Sequence, residues 1–244
     1  RRSELALLSR QIVPTEVESQ WNELLLRRMS REPLQYILGT APFCNLMLEV
    51  SGNVLVPRPE TEELVIALAE LLSADPPRKI LDLGTGSGAC ILALGRAFPA
   101  ATLTACDCDD GALAVARRNA ALCQLSNRVE FVRSDWFSQL RGSWDLIISN
   151  PPYLTEDEWL SAAPEIKMFE PKIALLGGGP DGTLCAKKIL SAAQEFLNPS
   201  GLLAIEIGIH QGQVLANFST KHGLQNISLQ KDWSGRDRYL FVRK

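Results

Sequence analysis

Histidine is scarce in this sequence: only His210 and His222 are present. The six cysteines, at 44, 90, 106, 108, 123 and 185, include no Cys-x-x-Cys pair. So few imidazoles and no paired thiols argue against a zinc centre, and no metal is expected. Cys90 and Cys106 lie in apolar runs. They read as buried, reduced thiols of a cytoplasmic-type compartment. An excess of basic charge is missing too, with 25 Lys and Arg against 28 Asp and Glu for a net −3. Direct nucleic-acid binding is therefore not expected, although a local basic patch stays open. No apolar run approaches the roughly 18 to 20 residues of a membrane span. Internal repeats and low-complexity tracts are absent. The chain opens on Arg1-Arg2-Ser3-Glu4, without Met and without a signal-peptide pattern. We expect a trimmed start. A bacterial-type cytoplasm is expected, and an organellar matrix if a targeting segment was removed.

What is present is a globular composition, 46% apolar and 22% charged, of a size for one large core with a small appendage. Residues 1 to about 38 read as helical. Thr15 and Glu18 have capping-box spacing, and Val17, Trp21, Leu24 and Leu25 share a helical face. Arg27, Arg28 and Arg31 read as a solvated helix end, or as a contact for an acidic or nucleic-acid partner. From Phe43 to Val56 alternation predicts a β-hairpin, with Cys44, Leu46, Leu48 and Val50 on one face and the turn at Ser51-Gly52-Asn53. Pro57 and Pro59 precede a helix from about Glu60 to Ser73. From Lys79 onward strands and helices alternate. Strands are predicted near 80–83, 102–107, 129–134, 145–149, 202–207, 226–231 and 238–243. Helices are predicted near 89–98, 109–123, 183–197 and 211–223. That order implies a parallel α/β sheet covered on both faces, with the last two strands an antiparallel pair at one edge.

The run "ILDLGTGSGA" sets Gly84, Thr85, Gly86, Ser87 and Gly88 between a strand and a helix. Glycines there let a ligand approach the backbone at a helix N-terminus. Asp107 ends the next strand, where a carboxylate can accept from both ribose hydroxyls of an adenosine. The same spacing fits a nicotinamide dinucleotide or S-adenosylmethionine. Asp82 favours the methyl donor, because its ammonium needs an acceptor near the strand end. Trp136 can lie against the adenine face, with Asp135 accepting from the adenine amino group. Plain core packing is the other reading of Trp136.

Asn150-Pro151-Pro152-Tyr153 follows the fourth strand of that series, on the same sheet edge as Gly84 and Asp107. A planar nitrogen is a poor nucleophile because its lone pair is delocalised. The Asn150 side-chain oxygen and the Pro151 carbonyl can accept its two N–H groups. Two prolines fix the local backbone and offer no competing donor. Tyr153 offers a surface on which a planar amide or base can stack. Positioning of this kind can supply up to roughly 7–11 kcal/mol of a barrier. Whether the bound nitrogen belongs to an amide or to adenine, these four residues leave open.

Nearly the whole chain resembles the HemK/PrmC family, the N5-glutamine methyltransferases of peptide chain release factors. The matching pieces are "REPLQYILG", "PRPETEE", "LDLGTGSG", Asp107, "SDWF", "NPPY", "FEPKIALLGGGPDG" and "GRDR". Asn-Pro-Pro-Tyr is shared with N6-adenine methyltransferases of DNA or RNA, which remain the alternative. The resemblance implies a class I, S-adenosylmethionine-dependent, Rossmann-like fold with a seven-stranded, mostly parallel sheet. It implies a helical N-terminal region at 1–40 that engages the release factor, a β-hairpin linker at 41–58 and a catalytic domain at 59–244. The helical part is shorter than the family's, so its first helices are expected to be missing. The acceptor would be the glutamine of a Gly-Gly-Gln loop. On this pattern Gly84 to Gly88, Asp107, Trp136 and Asn150 meet the cofactor, and Asn150 to Tyr153 meet the glutamine. Arg58, Glu60 and Thr61 stand at the mouth of the site, or serve only to start a helix.

Overall fold

A computed structural model of the protein describes residues 14–244. Seven strands form the main sheet: β3 (Lys79–Leu83), β4 (Thr102–Asp107), β5 (Val129–Arg133), β6 (Trp144–Ser149), β7 (Leu197–Glu206), β8 (Gln225–Lys231) and β9 (Asp237–Arg243). Their spatial order is β5-β4-β3-β6-β7-β9-β8. The first five strands are parallel, and β9 runs antiparallel to both β7 and β8. Chain order reverses between β3 and β6, so the carboxyl ends of these two strands frame a crevice.

Each central strand is apolar on both faces because helices cover both. Ile80, Leu146, Ile148 and Ala204 pack one way, against α3 (Pro59–Leu71) and α4 (Ala89–Ala97). Leu81, Leu83, Ile147, Leu203 and Ile205 pack the other way, against α8 (Leu184–Phe196) and α9 (Gly212–Lys221). Burying one such Leu or Ile contributes about 1.5–3 kcal/mol. Between these helices lie α5 (Asp110–Leu122) and two short helices after Tyr153, α6 (Glu156–Ser161) and α7 (Pro164–Phe169). The alternation did not single out α6 and α7. They are one-and-a-half-turn segments, too short to show a helical period.

Before the sheet come α1 (Thr15–Met29), α2 (Leu34–Leu38) and a hairpin of β1 (Thr40–Phe43) and β2 (Leu46–Glu49). The expected hairpin turn at Ser51-Gly52-Asn53 is corrected. Strands pair as Phe43↔Leu46, and the turn is Cys44-Asn45, both at positive φ (45° and 59°). A two-residue turn with two left-handed residues matches strand twist, and Asn tolerates that conformation. Cys44 therefore leaves the strand face, and its N–H donates to Glu62 Oε1 at 2.6 Å. Val54 and Val56 are buried, in extended chain rather than a return strand. The Thr15 capping box is also corrected. Pro14 is the N-cap and no side chain caps the helix. Val17, Trp21 and Leu25 are exposed among the described residues. Arg28 and Arg31 both reach Glu165, at 3.3 and 2.7 Å, which ties α1 to α7. Residues 1–13 of the expected helical region lie outside the described residues. No helix among the described residues is long and apolar enough to cross a membrane.

Candidate active site

A cavity of about 480 Å³ opens at the carboxyl ends of β3, β4 and β6. The glycine loop forms its floor. Gly84, Gly86 and Gly88 have φ of 70°, 54° and 82°, left-handed values that L side chains resist. A Cβ on Gly88 would also sit 3.3 Å from the Ala116 methyl of α5. The Gly84 and Thr85 N–H groups both donate to the Cys106 carbonyl at 2.9 Å. Gly86 N–H donates to Asp107 Oδ2 at 2.9 Å, and Asp109 N–H donates to Asp107 Oδ1 at 3.0 Å. Asp107 thus shapes the loop in addition to lining the cavity. Ser87 is buried and also lines it. Trp136, at positive φ, sets its ring 3.5 Å from the place a Gly84 Cβ would occupy. Its ring lines the cavity and also touches the core. Asp135 is exposed at the same wall.

Asn150 and Pro152 line the cavity from the end of β6, while Pro151 is buried and Tyr153, half-buried, is not among the lining residues. Asn150 Nδ2 donates to Thr61 Oγ1 at 2.9 Å. Thr61 Oγ1 in turn donates to Glu206 Oε2 at 2.6 Å. The Tyr153 hydroxyl donates to Glu206 Oε1 at 3.4 Å. Among the described residues Asn150 Oδ1 has no hydrogen-bond partner, and Asn150 lines the cavity. Thr61 sits on α3 and also lines the cavity, and Arg58 does so just before it. Arg58 pairs with Glu170, whose side chain is buried. Glu60 is not among the lining residues; its carbonyl accepts from the Tyr239 hydroxyl at 2.7 Å.

Three parts of this support were not assigned a role from the sequence. Glu206 ends β7 in a run, "LLAIEIG", that reads as an ordinary strand. Gln211 Nε2 donates to the carbonyls of Tyr153 (2.8 Å) and Asp181 (2.9 Å). The segment 175–177 pairs with Leu154, which donates to the Leu175 carbonyl at 2.9 Å and accepts from Gly177 N–H at 3.0 Å. Glycine is required there by close approach. A Cβ on Gly177 would lie 1.9 Å from the Gly182 carbonyl oxygen and 2.7 Å from that of Pro152. The signal for Glu206 was available in principle: a lone acid inside an apolar strand run must find donors or lose its charge.

The electrostatics are lopsided. Four carboxylates, Asp82, Asp107, Asp109 and Asp135, face the cavity against two cations, Arg58 and Lys188. Burial pushes the Asp82 carboxyl up to about 7, despite the bond it accepts from Thr85 at 2.6 Å. Burial raises Asp107 as well. Burial also raises Glu206 to about 7, opposed by Thr61 and Arg238. A pyrophosphate would meet like charge here. A ligand with an ammonium and a sulfonium would offset the carboxylates, so these residues fit S-adenosylmethionine.

A seven-stranded sheet with its antiparallel β9, a glycine loop, an acid ending β4 and Asn-Pro-Pro-Tyr after β6 define a class I, S-adenosylmethionine-dependent methyltransferase. Solved structures agree on the fold. A T. thermophilus 16S rRNA methyltransferase in complex with AdoMet and guanosine matches with a TM-score of 0.60 at 19% identity, covering 84% of this chain and 49% of that one. A methyltransferase from Pyrococcus furiosus matches at 0.58 and 22% identity, covering 93% and 98%. The family model "Methyltransferase small domain" matches residues 64–170, and "PrmC N-terminal domain" matches residues 1–39. The release factor glutamine methyltransferase of Cereibacter sphaeroides is 39% identical over 231 residues, 95% of this chain and 81% of that protein. Its namesake from Thermosynechococcus vestitus is 39% identical over 237 residues, 94% and 79%. The chain belongs to the release factor glutamine methyltransferase family.

Proposed function

We propose that the chain transfers a methyl group from S-adenosylmethionine to the side-chain amide nitrogen, N5, of the glutamine in the Gly-Gly-Gln motif of a peptide chain release factor. The observation that carries this reading is the Asn150 amide in the cavity lining, tied down by its nitrogen with its oxygen left without a partner among the described residues. It occurs in a chain 39% identical over 231 residues to an enzyme of that name. Bound in the cavity, the cofactor supplies an electrophilic methyl group. On this reading Gly84, Thr85, Gly86, Ser87 and Gly88 hold its amino-acid end, with Asp82 as acceptor for its ammonium. Asp107 accepts from the ribose, and Trp136 lies on the adenine.

Asn150 Oδ1 and the Pro151 carbonyl accept the two hydrogens of the glutamine amide. Both acceptors favour a more pyramidal nitrogen, whose lone pair would then be available to an electrophilic methyl group. Bound S-adenosylmethionine would give up its methyl group to this nitrogen and leave as S-adenosylhomocysteine, and the surplus amide proton would pass to water. Tyr153, tied to Glu206, supports the loop more than it offers an open stacking face. Residues 1–40 engage the release factor, 41–58 link, and 59–244 carry catalysis. The compartment is one that holds release factors, a bacterial-type cytoplasm. Adenine N6-methylation is not favoured, given the relatives' names and a net charge of −3. Incubation with methyl-labelled cofactor, a release factor and its Gln→Ala variant tests the reading. Label on the factor but not on the variant is expected. Label on adenine-containing DNA alone would overturn it.

A further inference from the structure

An asparagine amide has two ends of nearly equal shape and opposite hydrogen-bonding sense. With Oδ1 toward the cavity, Asn150 accepts from an incoming NH2 group. Rotated by half a turn, it confronts that group with two more donors. Something must choose between these states, and packing alone does so poorly.

We propose that Thr61 and Glu206 are positioning residues that set the rotational state of the Asn150 amide, so that its oxygen faces the nitrogen to be methylated. The inference rests on the methyl-transfer reading of Asn150. An ionised carboxylate only accepts, and a hydroxyl has one proton to give. The Thr61 proton goes to Glu206 Oε2 at 2.6 Å, so the oxygen of Thr61 presents a lone pair to Asn150. Only the NH2 end of Asn150 satisfies it, at 2.9 Å. The polarity of the whole chain of bonds follows from one charge.

Glu206 is 1% exposed at the end of β7. The groups that face it are Thr61 and Glu60 on α3, Tyr153 on the catalytic loop, Arg238 and Tyr239 on β9, and Cys90 on α4. Its carboxyl is raised to about 7 by burial. Once protonated at Oε2, it donates to Thr61. Thr61 then donates onward, and the amide that accepts is Asn150 in the wrong rotation. Turnover therefore falls as pH drops through Glu206's range.

The test compares Thr61→Val, Thr61→Ser and Glu206→Gln in the whole chain. Thr61→Val keeps shape and removes the relay; its kcat should fall about 100-fold. Cofactor affinity by calorimetry and KM for the release factor should move less than about threefold, since binding is not what is lost. Thr61→Ser should restore most of kcat. Glu206→Gln should flatten the acid limb of the kcat profile that the wild type shows. Near-wild-type kcat in Thr61→Val, or a Thr61→Ser variant as impaired as Thr61→Val, overturns the proposal. A second readout needs no turnover. The ¹⁵N side-chain amide signals of Asn150, assigned by their loss in Asn150→Asp, should show one bonded, exchange-protected proton in the wild type. That protection should vanish in Thr61→Val. An unchanged spectrum overturns the proposal whatever the activity. A wild type that leaves the release factor unlabelled sinks the functional reading, while the amide spectrum still decides this one.

Discussion

Replacing Asp82 by asparagine should make the cofactor-free protein more stable and bind the cofactor less well. Asp82 lies on β3, 2% exposed. It accepts a hydrogen bond from the Thr85 hydroxyl at 2.6 Å, the nearby Ile91 N–H also favours its charged form, and among the described residues no cation pairs with it. Burial raises its carboxyl from 3.8 to about 7. The sign runs opposite to that of a salt-bridged Asp. Between the two values the folded chain holds a proton that the unfolded chain has released, so stability falls as pH rises across that window. About three units at 1.36 kcal/mol each put the full cost near 4 kcal/mol above about pH 7. Asparagine carries no charge and keeps an oxygen for Thr85. Its NH2 lacks an acceptor, which takes back about 1–3 kcal/mol. A net gain of about 1–3 kcal/mol is expected near pH 8. At roughly 2–4 °C per kcal/mol for a chain of this size, Tm rises by several degrees. Melting curves of both cofactor-free proteins near pH 5 and pH 8 read this directly, and the gap should shrink at the lower pH. Calorimetry should show cofactor affinity weakened by about 1.5–3 kcal/mol, the value of a hydrogen bond to a charged group. A variant less stable than the wild type near pH 8, or a gap unchanged with pH, would refute the reasoning.

Asn150→Ala should abolish most turnover with cofactor affinity little changed, and near-wild-type kcat would remove Asn150 as an acceptor. Asp107→Ala should weaken cofactor binding by about 1.5–3 kcal/mol or more, because the Gly86 and Asp109 N–H groups lose their acceptor as well. Unchanged affinity in calorimetry would mean that the ribose lies elsewhere. Gly177→Ala forces a Cβ to 1.9 Å from the Gly182 carbonyl, so the loop carrying Pro152 must shift. Its kcat should drop about 100-fold while the cofactor still binds; a variant with normal kcat would show that the loop tolerates the shift.

The central strands were legible because each announces itself twice, by an apolar run and by the turn that ends it. β3 and β6 are buried on both faces, and their Ile- and Leu-rich runs, broken in β3 only by Asp82, say so. The hairpin was misplaced because glycine is the usual turn marker, and Gly52 outweighed Asn45. The actual turn uses Asn45 at φ 59° behind Cys44, a residue with no turn preference. Packing decided it: Phe43 and Leu46, on either side of that turn, are both buried, and Glu62 holds the turn's N–H. α1 failed its expected cap for a local reason. Pro14 occupies the cap position, so Thr15 is already inside the helix.

At the site, most of the residues that line the cavity were legible and those that hold them were not. Gly84 to Gly88, Asp107 and Asn150 carry their chemistry in their types and order. Thr61 and Glu206 are 145 residues apart and meet only because α3 crosses the end of β7. The same holds for Gln211, which reaches back to the Tyr153 carbonyl. A sequence pattern displays spacing along the chain, whereas a relay of hydrogen bonds is set by distance in space. If Thr61 and Glu206 set the Asn150 amide as proposed, Asn-Pro-Pro-Tyr specifies an acceptor pair only when Glu206 is ionised behind it. Moved to a scaffold without that buried acid, the same four residues would hold an amide free to turn either end to the substrate.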